Sequence, residues 1–318
     1  MPNSIESLLS RSRTTAPPGS IADVEQRSKV PWRDVALFTG LAYALAWALW
    51  LVLLPNLFDL LTASRTPNKL AVAPIYVLGM FAPAAAAVVV RMFVSKEGLK
   101  GSLGAVRAWR FYALAVLLGL VVVNLVIAVD TLTGLGKFAW NGKPALWVEY
   151  AGLIFNGLTF SALAALGEEY GWRGYLLPKL LPLGEVKAAV IVGAIWGPWH
   201  LPLLIAGLNY PGAAPLVAIA IFIPVAIAMS LLFARVFLMS GGAVLVVAVL
   251  HGSFNAFGDK LTNTDHLTGS PLVVTPGGAV GFGVILLTAV IAYTLSKTGR
   301  LRRRPLTACV AASNHAAG

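Results

Sequence analysis

The chain has 318 residues, of which 58% are hydrophobic and 12% are charged, and its formal net charge is +11. Soluble globular proteins contain roughly 25% charged residues, so this composition excludes a soluble enzyme, and it is far too apolar for a disordered chain. The single cysteine, Cys309, excludes an intramolecular disulfide framework and cysteine-based metal sites. Nucleic acid is not an expected partner, because basic loops facing anionic lipid explain the excess of Lys and Arg.

The chain divides into two polar tails and a long apolar domain. Residues 1–34 contain no apolar run, which predicts a flexible cytoplasmic tail and not a signal peptide. From residue 35, apolar stretches near the ~20 residues that cross a bilayer recur. Residues 297–318 form a second, basic tail that we also place in the cytoplasm. We therefore predict an all-α polytopic membrane protein, embedded in the lipid bilayer through a helical domain over 35–296.

Eight transmembrane spans are predicted, with seven or nine as the alternatives. Their bounds are 35–54, 70–90, 111–129, 155–178, 186–206, 213–234, 242–258 and 279–296. Of the 24 Lys and Arg residues, 19 fall in the two tails and in the segments on the same side, and 5 fall on the other side. The positive-inside rule then places both termini in the cytoplasm. The composition, rich in Ala, Val and Arg, favours a bacterial plasma membrane.

Three motifs place ionisable side chains inside predicted spans, where a charge costs about 2.5–3.5 kcal/mol and indicates function. The first is the run 167–173, with Glu168, Glu169 and Arg173. Glu169 and Arg173 are four residues apart and share a helix face, so they can pair, whereas Glu168 points about 100° away. One carboxylate therefore has a built-in partner and the other has none.

The second and third motifs supply histidines. His200 lies one helical turn after Trp196, next to prolines that can kink the span. His251 and Asn255 share a face of a later helix. At 1.5 Å per residue, all three motifs lie roughly 15–20 Å from the predicted inner ends of their spans. We expect them to line one cavity that opens toward the cytoplasm.

Together the motifs resemble a known family. A doubled Glu with Arg four residues after the second, an aromatic residue with His four later, and His-x-x-x-Asn occur in this order from Glu168 to Asn255. This pattern is similar to that of the CAAX prenyl protease and bacteriocin-processing family of intramembrane proteases. The resemblance covers about 155–258, and Trp196 stands where many members have Phe. It implies a conical intramembrane site and an endopeptidase for a membrane-associated protein or peptide, in CAAX-type or leader processing.

The resemblance also implies residue roles. Glu168 would be the general base that activates water, and His200 would help to hold that water. Glu169 and Arg173 would shape the site. A neutral imidazole N–H of His251 and the carboxamide of Asn255 would stabilise the oxyanion, since both are hydrogen-bond donors.

Metal use stays open at this stage. Glu168, His200 and His251 are candidate ligands for a catalytic zinc, which takes nitrogen and oxygen ligands and leaves a position for water. The chain has no H-E-x-x-H helix, so a zincin is not expected.

Other interpretations compete with the protease. The Glu168, Glu169 and Arg173 cluster could be a buried ion-pair device that joins helices, and the histidines could serve as interhelical hydrogen-bonding groups. A proton-coupled transporter could use Glu168, His200 and His251 as a relay, but polar residues are scarce in the spans outside the motifs. An inactive immunity or scaffold relative would be expected to lack motif residues, and all are present.

Overall fold

The computed structural model describes residues 29–53, 69–104 and 109–297. Residues 1–28 and 298–318, which make up most of the two predicted tails, lie outside these ranges. The described chain is almost entirely helical. Its helices are α1 (Trp32–Ala48), α2 (Lys69–Met80), α3 (Ala82–Val89), α4 (Trp109–Thr133), α5 (Leu146–Leu158), α6 (Phe160–Gly171), α7 (Leu177–Leu180), α8 (Glu185–Trp199), α9 (Leu201–Ile205), α10 (Pro215–Met239), α11 (Val244–Leu261), α12 (Pro271–Val274) and α13 (Ala279–Lys297).

Short irregular elements complete the architecture. Wide π-helical turns continue α1, α3 and α6 over Leu49–Leu53, Val90–Val94 and Trp172–Leu176. A 3₁₀ turn, Leu181–Leu183, follows α7. Strands β1 (Lys137–Phe138) and β2 (Leu267–Thr268) pair antiparallel, with Lys137 opposite Thr268 and Phe138 opposite Leu267. The predicted all-α class is confirmed.

By length and composition, seven helical segments within the described ranges could cross a membrane, so the chain is an integral membrane protein. They are Trp32–Val52, Pro74–Val94, Trp109–Thr133, Leu146–Leu183, Pro215–Met239, Val244–Leu261 and Pro271–Ser296.

The predicted span 186–206 does not form one continuous helix. It is divided into α8, of 15 residues, and the short helix α9. Pro198 and Pro202 have no backbone N–H to continue the helical hydrogen bonding, and His200 between α8 and α9 has φ −81° and ψ 0°. At 1.5 Å per residue α8 is about 22 Å long, which is short of the ~30 Å hydrocarbon core.

The broken span nevertheless runs through the bundle beside α10. Arg235 near the end of α10 bonds Glu185 at the start of α8 at 2.9 Å. Ser230 Oγ donates to the Ala189 carbonyl at 2.8 Å, and Gly197 lies against Ile223. The two helices are therefore antiparallel, and α8 with α9 carries the chain to the opposite end of the bundle. Within the described residues, this interrupted passage comes in addition to the seven segments long enough to span a membrane.

Both ends of the described chain lie at the same end of the bundle. Ser95, just after α3, donates a hydrogen bond to Asp34 in the first turn of α1 at 2.7 Å. The guanidinium of Arg235 lies over the ring of Tyr293 in the last turns of α13. We call this end, where α1, α4, α8 and α11 begin and α3, α10 and α13 end, the basic face.

Helices α3, α6 and α11 pack in close contact through glycines. A Cβ added to Gly171 of α6 would lie 2.4 Å from Pro83 Cβ, and one added to Gly252 of α11 would lie 2.4 Å from Ala162 N. Small residues permit such approach, which van der Waals packing favours inside a membrane. Because Gly252 follows His251 directly, this contact also fixes the position of the histidine against α6.

We predict that Gly252→Ala lowers the free energy of unfolding by about 1–3 kcal/mol, because its methyl group would overlap backbone atoms that cannot move cheaply. Gly152→Ala in α5 is the matched control, because nothing lies within 4 Å of its added Cβ. That change should stabilise the protein by about 0.5–1 kcal/mol, since alanine favours helix. Unfolding in detergent measures both, and equal effects would contradict the packing argument.

Candidate active site

The second glutamate of the doubled pair joins two helices. Glu169 and Arg173 are fully buried and pair at 2.9 Å one turn apart on the α6 segment, as their spacing predicts. The same oxygen, Glu169 Oε1, contacts His251 Nδ1 of α11 at 2.8 Å. A guanidinium and an imidazole therefore converge on one carboxylate oxygen. These contacts join α6 to α11, as expected if the cluster of Glu168, Glu169 and Arg173 serves as a buried ion-pair device between helices.

The guanidinium of Arg173 is also held by aromatic rings. It lies 4.6 Å from the ring centre of Trp196 and 5.0 Å from that of Phe233. Among the described residues its Nε and Nη2 atoms have no hydrogen-bond partner. Cation–π attraction is stronger when the ions are removed from water. The two rings therefore stabilise the buried charge of Arg173 in place of the hydrogen bonds that its Nε and Nη2 atoms lack.

The first glutamate has different surroundings. Glu168 is 2% exposed, and its Oε2 accepts a hydrogen bond from Trp196 Nε1 at 2.6 Å. The indole donor comes from α8. Many members of the family that the sequence resembles have phenylalanine at this position, and a phenylalanine ring has no hydrogen-bond donor. Helical spacing thus separates the two carboxylates as predicted. Glu169 faces Arg173 and His251, whereas Glu168 faces Trp196 and a cavity.

The contacts of the two histidines determine which ring nitrogen carries hydrogen in the neutral form. His200 Nδ1 lies 3.0 Å from the Trp196 carbonyl oxygen, and His251 Nδ1 lies 2.8 Å from Glu169 Oε1. A carbonyl or a carboxylate paired with arginine only accepts, so Nδ1 must be the donor in both rings. A neutral imidazole then has no hydrogen on Nε2. We expected the N–H of neutral His251 to point at the oxyanion, but that N–H is directed at Glu169, and only the imidazolium form donates from Nε2.

A cavity of about 510 Å³ brings the motif residues together. Its lining includes Glu168, His200, His251 and Asn255, together with Trp196. Glu169 and Arg173 are not among the lining residues and lie behind the cavity wall. The three motifs, which are separate in sequence, therefore meet at one site, and four of the six predicted site residues can touch a bound molecule.

The mouth of the cavity lies at the end of the bundle opposite the basic face. From His251 the lining continues along α11 through Gly258 to Thr262, and it includes the loop residues Asn209 and Gly277. These residues belong to segments that the Lys and Arg count assigns to the non-cytoplasmic side. The sequence predicted cytoplasmic termini, which would place the basic face in the cytoplasm, and also a cavity that opens toward the cytoplasm. Because the mouth lies at the opposite end from the basic face, these two predictions cannot both be correct. We call the end with the mouth the open face.

The sequence also made this site a candidate for metal binding. Within residues 29–53, 69–104 and 109–297, no three His, Cys, Asp or Glu side chains are grouped closely enough to hold one metal ion. Glu168, His200 and His251 share a cavity, and zinc binding by these three residues stays a prediction.

Sequence analysis missed two aromatic residues of the site. In the sequence Trp196 is the aromatic residue of the His200 motif and has no assigned role, although its ring centre lies 5.7 Å from that of His200 and 5.5 Å from that of His251. Phe233 of α10 lies 5.4 Å from His251 by the same measure. For Trp196, the indole N–H could have indicated a role in the site, because a hydrogen-bond donor one turn before His200 can reach a buried acceptor. Phe233 had no signal, since an apolar span contains many such residues.

We predict that Glu169→Gln destabilises the protein by about 3–5 kcal/mol, because it leaves the buried Arg173 charge without its carboxylate. Glu97→Gln is the control, since Glu97 is 35% exposed and pairs with Arg91 at the surface. Exposed pairs contribute about 0–1 kcal/mol. Thermal unfolding of both variants in detergent tests this, and a Glu169→Gln variant as stable as the control would contradict it.

Two comparisons with known proteins agree with the geometry. Residues 150–257 match the family model described as type II CAAX prenyl endopeptidase Rce1-like. A curated relative, CAAX prenyl protease 2 of Methanococcus maripaludis, is 26% identical over 91 residues, which is 28% of this chain and 32% of the relative. The match thus spans about a third of the relative's length. The matched segment contains Glu168, His200, His251 and Asn255, so this part of the chain is similar to the Rce1-like CAAX prenyl endopeptidase family.

Proposed function

We propose that this chain is an intramembrane endopeptidase that hydrolyses a peptide bond of a membrane-associated protein or peptide. Glu168 is the general base in this proposal. The observation that carries it is the difference between the two buried glutamates. Glu169 is occupied by Arg173 and His251, whereas Glu168 lines the cavity and has one oxygen, Oε1, that the indole of Trp196 does not engage.

Hydrolysis would begin at that oxygen. Oε1 of Glu168 accepts a proton from a water molecule as the water oxygen bonds to the carbonyl carbon of the substrate. The carbonyl oxygen becomes an oxyanion. When the tetrahedral intermediate collapses, the C–N bond breaks and Glu168 returns the proton to the leaving amine. Trp196 Nε1 holds Oε2 throughout and so restricts the rotation of the carboxylate.

Two cavity residues would stabilise the oxyanion. Asn255 lies one helical turn after His251 on α11 and lines the same cavity, so its amide NH₂ is a candidate donor. His251 donates from Nε2 only as an imidazolium, and the contact of its Nδ1 with Glu169 at 2.8 Å holds the ring at the cavity wall. Arg173 and Glu169 are then positioning residues that act through His251.

We also propose that the basic face is cytoplasmic. Among described residues with defined side chains, excluding the buried Arg173 of the site, nine Lys and Arg lie toward the basic face and three toward the open face. The positive-inside rule favours the orientation in which the face with nine Lys and Arg residues is cytoplasmic. This orientation keeps both ends of the described chain in the cytoplasm, and a bacterial plasma membrane remains the proposed location.

We expect Glu168→Gln to abolish hydrolysis while the protein stays folded. Glutamine keeps the shape and an acceptor for Trp196 but cannot take a proton from water, and losing a general base typically costs 10²–10⁴-fold in rate. Turnover of a membrane-peptide substrate and the melting temperature in detergent would be measured together. Comparison of membrane peptides in cells with native chain and with Glu168→Gln would reveal an accumulated precursor and so identify the substrate.

Two outcomes would change the assignment. Near-native turnover in Glu168→Gln, with a stable but inactive Glu169→Gln, would reverse the roles of the glutamates. If both variants stayed active, the endopeptidase would be rejected, and the proton-coupled relay would become the better account.

Trp196→Phe is expected to lower kcat by roughly tenfold to a hundredfold, because the carboxylate loses the donor that orients it and misplaced catalytic groups lose rate steeply. The matched control is Trp199→Phe in the same helix, whose indole donates to the Ala42 carbonyl at 3.3 Å and not to Glu168. The control should change the melting temperature more than kcat. Steady-state kinetics of both variants decide this, and an unchanged kcat in Trp196→Phe would remove the positioning role.

A further inference from the structure

One face of α11 presents a row of polar side chains to the cavity. His251, Asn255 and Asp259 follow one another at intervals of one helical turn, and all of them line the cavity. At 1.5 Å per residue, Asp259 lies about 12 Å along the helix from His251. Asp259 is exposed, so a bound molecule can touch it. The proposed hydrolysis uses His251 and Asn255 but assigns no role to Asp259.

The charge of the cavity wall has one sign. Among the lining residues that the structure describes, Glu168 and Asp259 are carboxylates, and none is a Lys or an Arg. Lys260, which follows Asp259 in the sequence, does not line the cavity, and its ammonium group lies 3.9 Å from Glu149 of α5. The chain as a whole carries a net charge of +11, so its composition does not explain a cavity wall without cations. A cationic group inside the cavity is attracted by both carboxylates.

The distance from His251 to Asp259 corresponds to a short stretch of peptide. An extended chain advances about 3.3 Å per residue, so roughly four residues cover about 12 Å. The bond that Glu168 would hydrolyse lies beside His251 and Asn255. A Lys or Arg side chain within about four residues of that bond can therefore reach Asp259.

Another wall of the same cavity is apolar. Helix α10 contributes Phe222, Val225 and Met229 to it. A peptide that leaves water must bury its apolar side chains and satisfy its backbone N–H and C=O groups. The apolar wall and the polar row on α11 together suit an extended, apolar segment with an isolated cationic residue.

We infer that Asp259 is a specificity-determining residue, which selects an apolar peptide segment with a Lys or Arg side chain within about four residues of the cleaved bond. Electrostatic complementarity of this kind governs which partners bind more than it raises affinity. The inference deepens the proposed function and rests on it, because the bound peptide is taken to be the substrate.

Binding of synthetic peptides tests the preference without hydrolysis. The probes are fluorescent peptides of Leu, Ala and Val with neutral ends, each carrying Lys, Gln or Glu at the same central position. Their affinity for the Glu168→Gln chain in a neutral detergent is compared with that for chains that also carry Asp259→Asn or Asp259→Lys. The matched control is Asp265→Asn, since Asp265 is exposed in the loop after α11 and does not line the cavity. Melting temperatures show which variants are folded.

We expect the Glu168→Gln chain to bind the Lys peptide roughly two- to fivefold more tightly than the Gln peptide, and the Glu peptide more weakly than both. Asp259→Asn should remove this preference, Asp259→Lys should reverse it, and Asp265→Asn should leave it unchanged. Added salt should weaken it. Equal affinity for the three peptides, no binding of the Lys peptide, or a preference that persists in Asp259→Asn would overturn the inference. Two substitutions of Asp259 keep the result decisive if one variant fails to fold.

Hydrolysis by the native chain separates this inference from the proposed function. A library of proteome-derived peptides would be incubated with the native chain and with Asp259→Asn, and the cleaved bonds identified by mass spectrometry. Bonds cleaved by the native chain should have a Lys or Arg within about four residues more often than the library as a whole, and Asp259→Asn should lose this enrichment while cleavage continues. Cleavage without enrichment would reject the role of Asp259 and leave the endopeptidase intact. If the native chain cleaves no peptide, the proposed function fails, and the binding comparison still decides the preference for a cation.

Discussion

One buried carboxylate oxygen organises this site. Glu169 Oε1 is within hydrogen-bond distance of both Arg173 and His251, and all three side chains are buried where water cannot solvate them. A charge left unpaired there is very costly, so α6 and α11 must remain in register for the pairs to persist. The close glycine contact of Gly252 with α6 reinforces the same register. The placement of His251 in the cavity follows from this arrangement.

Trp196 connects that cluster to the reactive side of the site. Its ring faces the guanidinium of Arg173, its neighbours are the two histidines, and its indole N–H engages Glu168. One side chain from α8 therefore touches every charged or titratable motif residue except Glu169. Because α8 ends at Trp199, the backbone is free to turn at His200, which brings a second imidazole to the cavity. A continuous span would have placed that histidine along the helix instead of at its end.

The same packing gives the molecule two unlike ends. Toward the basic face the site is covered by the loop after α3 and by large buried side chains, while toward the open face α10 and α11 leave a cavity. A hydrolase inside a membrane needs water at its base and a dry surrounding that strengthens electrostatic contacts. A cavity open at one end supplies both.

Much of this was determined by the sequence itself. The apolar composition and the length of the spans specify a helical membrane protein, because only helices satisfy the backbone in lipid without closing a barrel. The i, i+4 spacing alone separated the paired Glu169 from Glu168. Two features were decided only by tertiary structure: the indole donor to Glu168 and the end at which the cavity opens. Each depends on which side chains from distant helices come together, and the periodicity of a single helix carries no information about that.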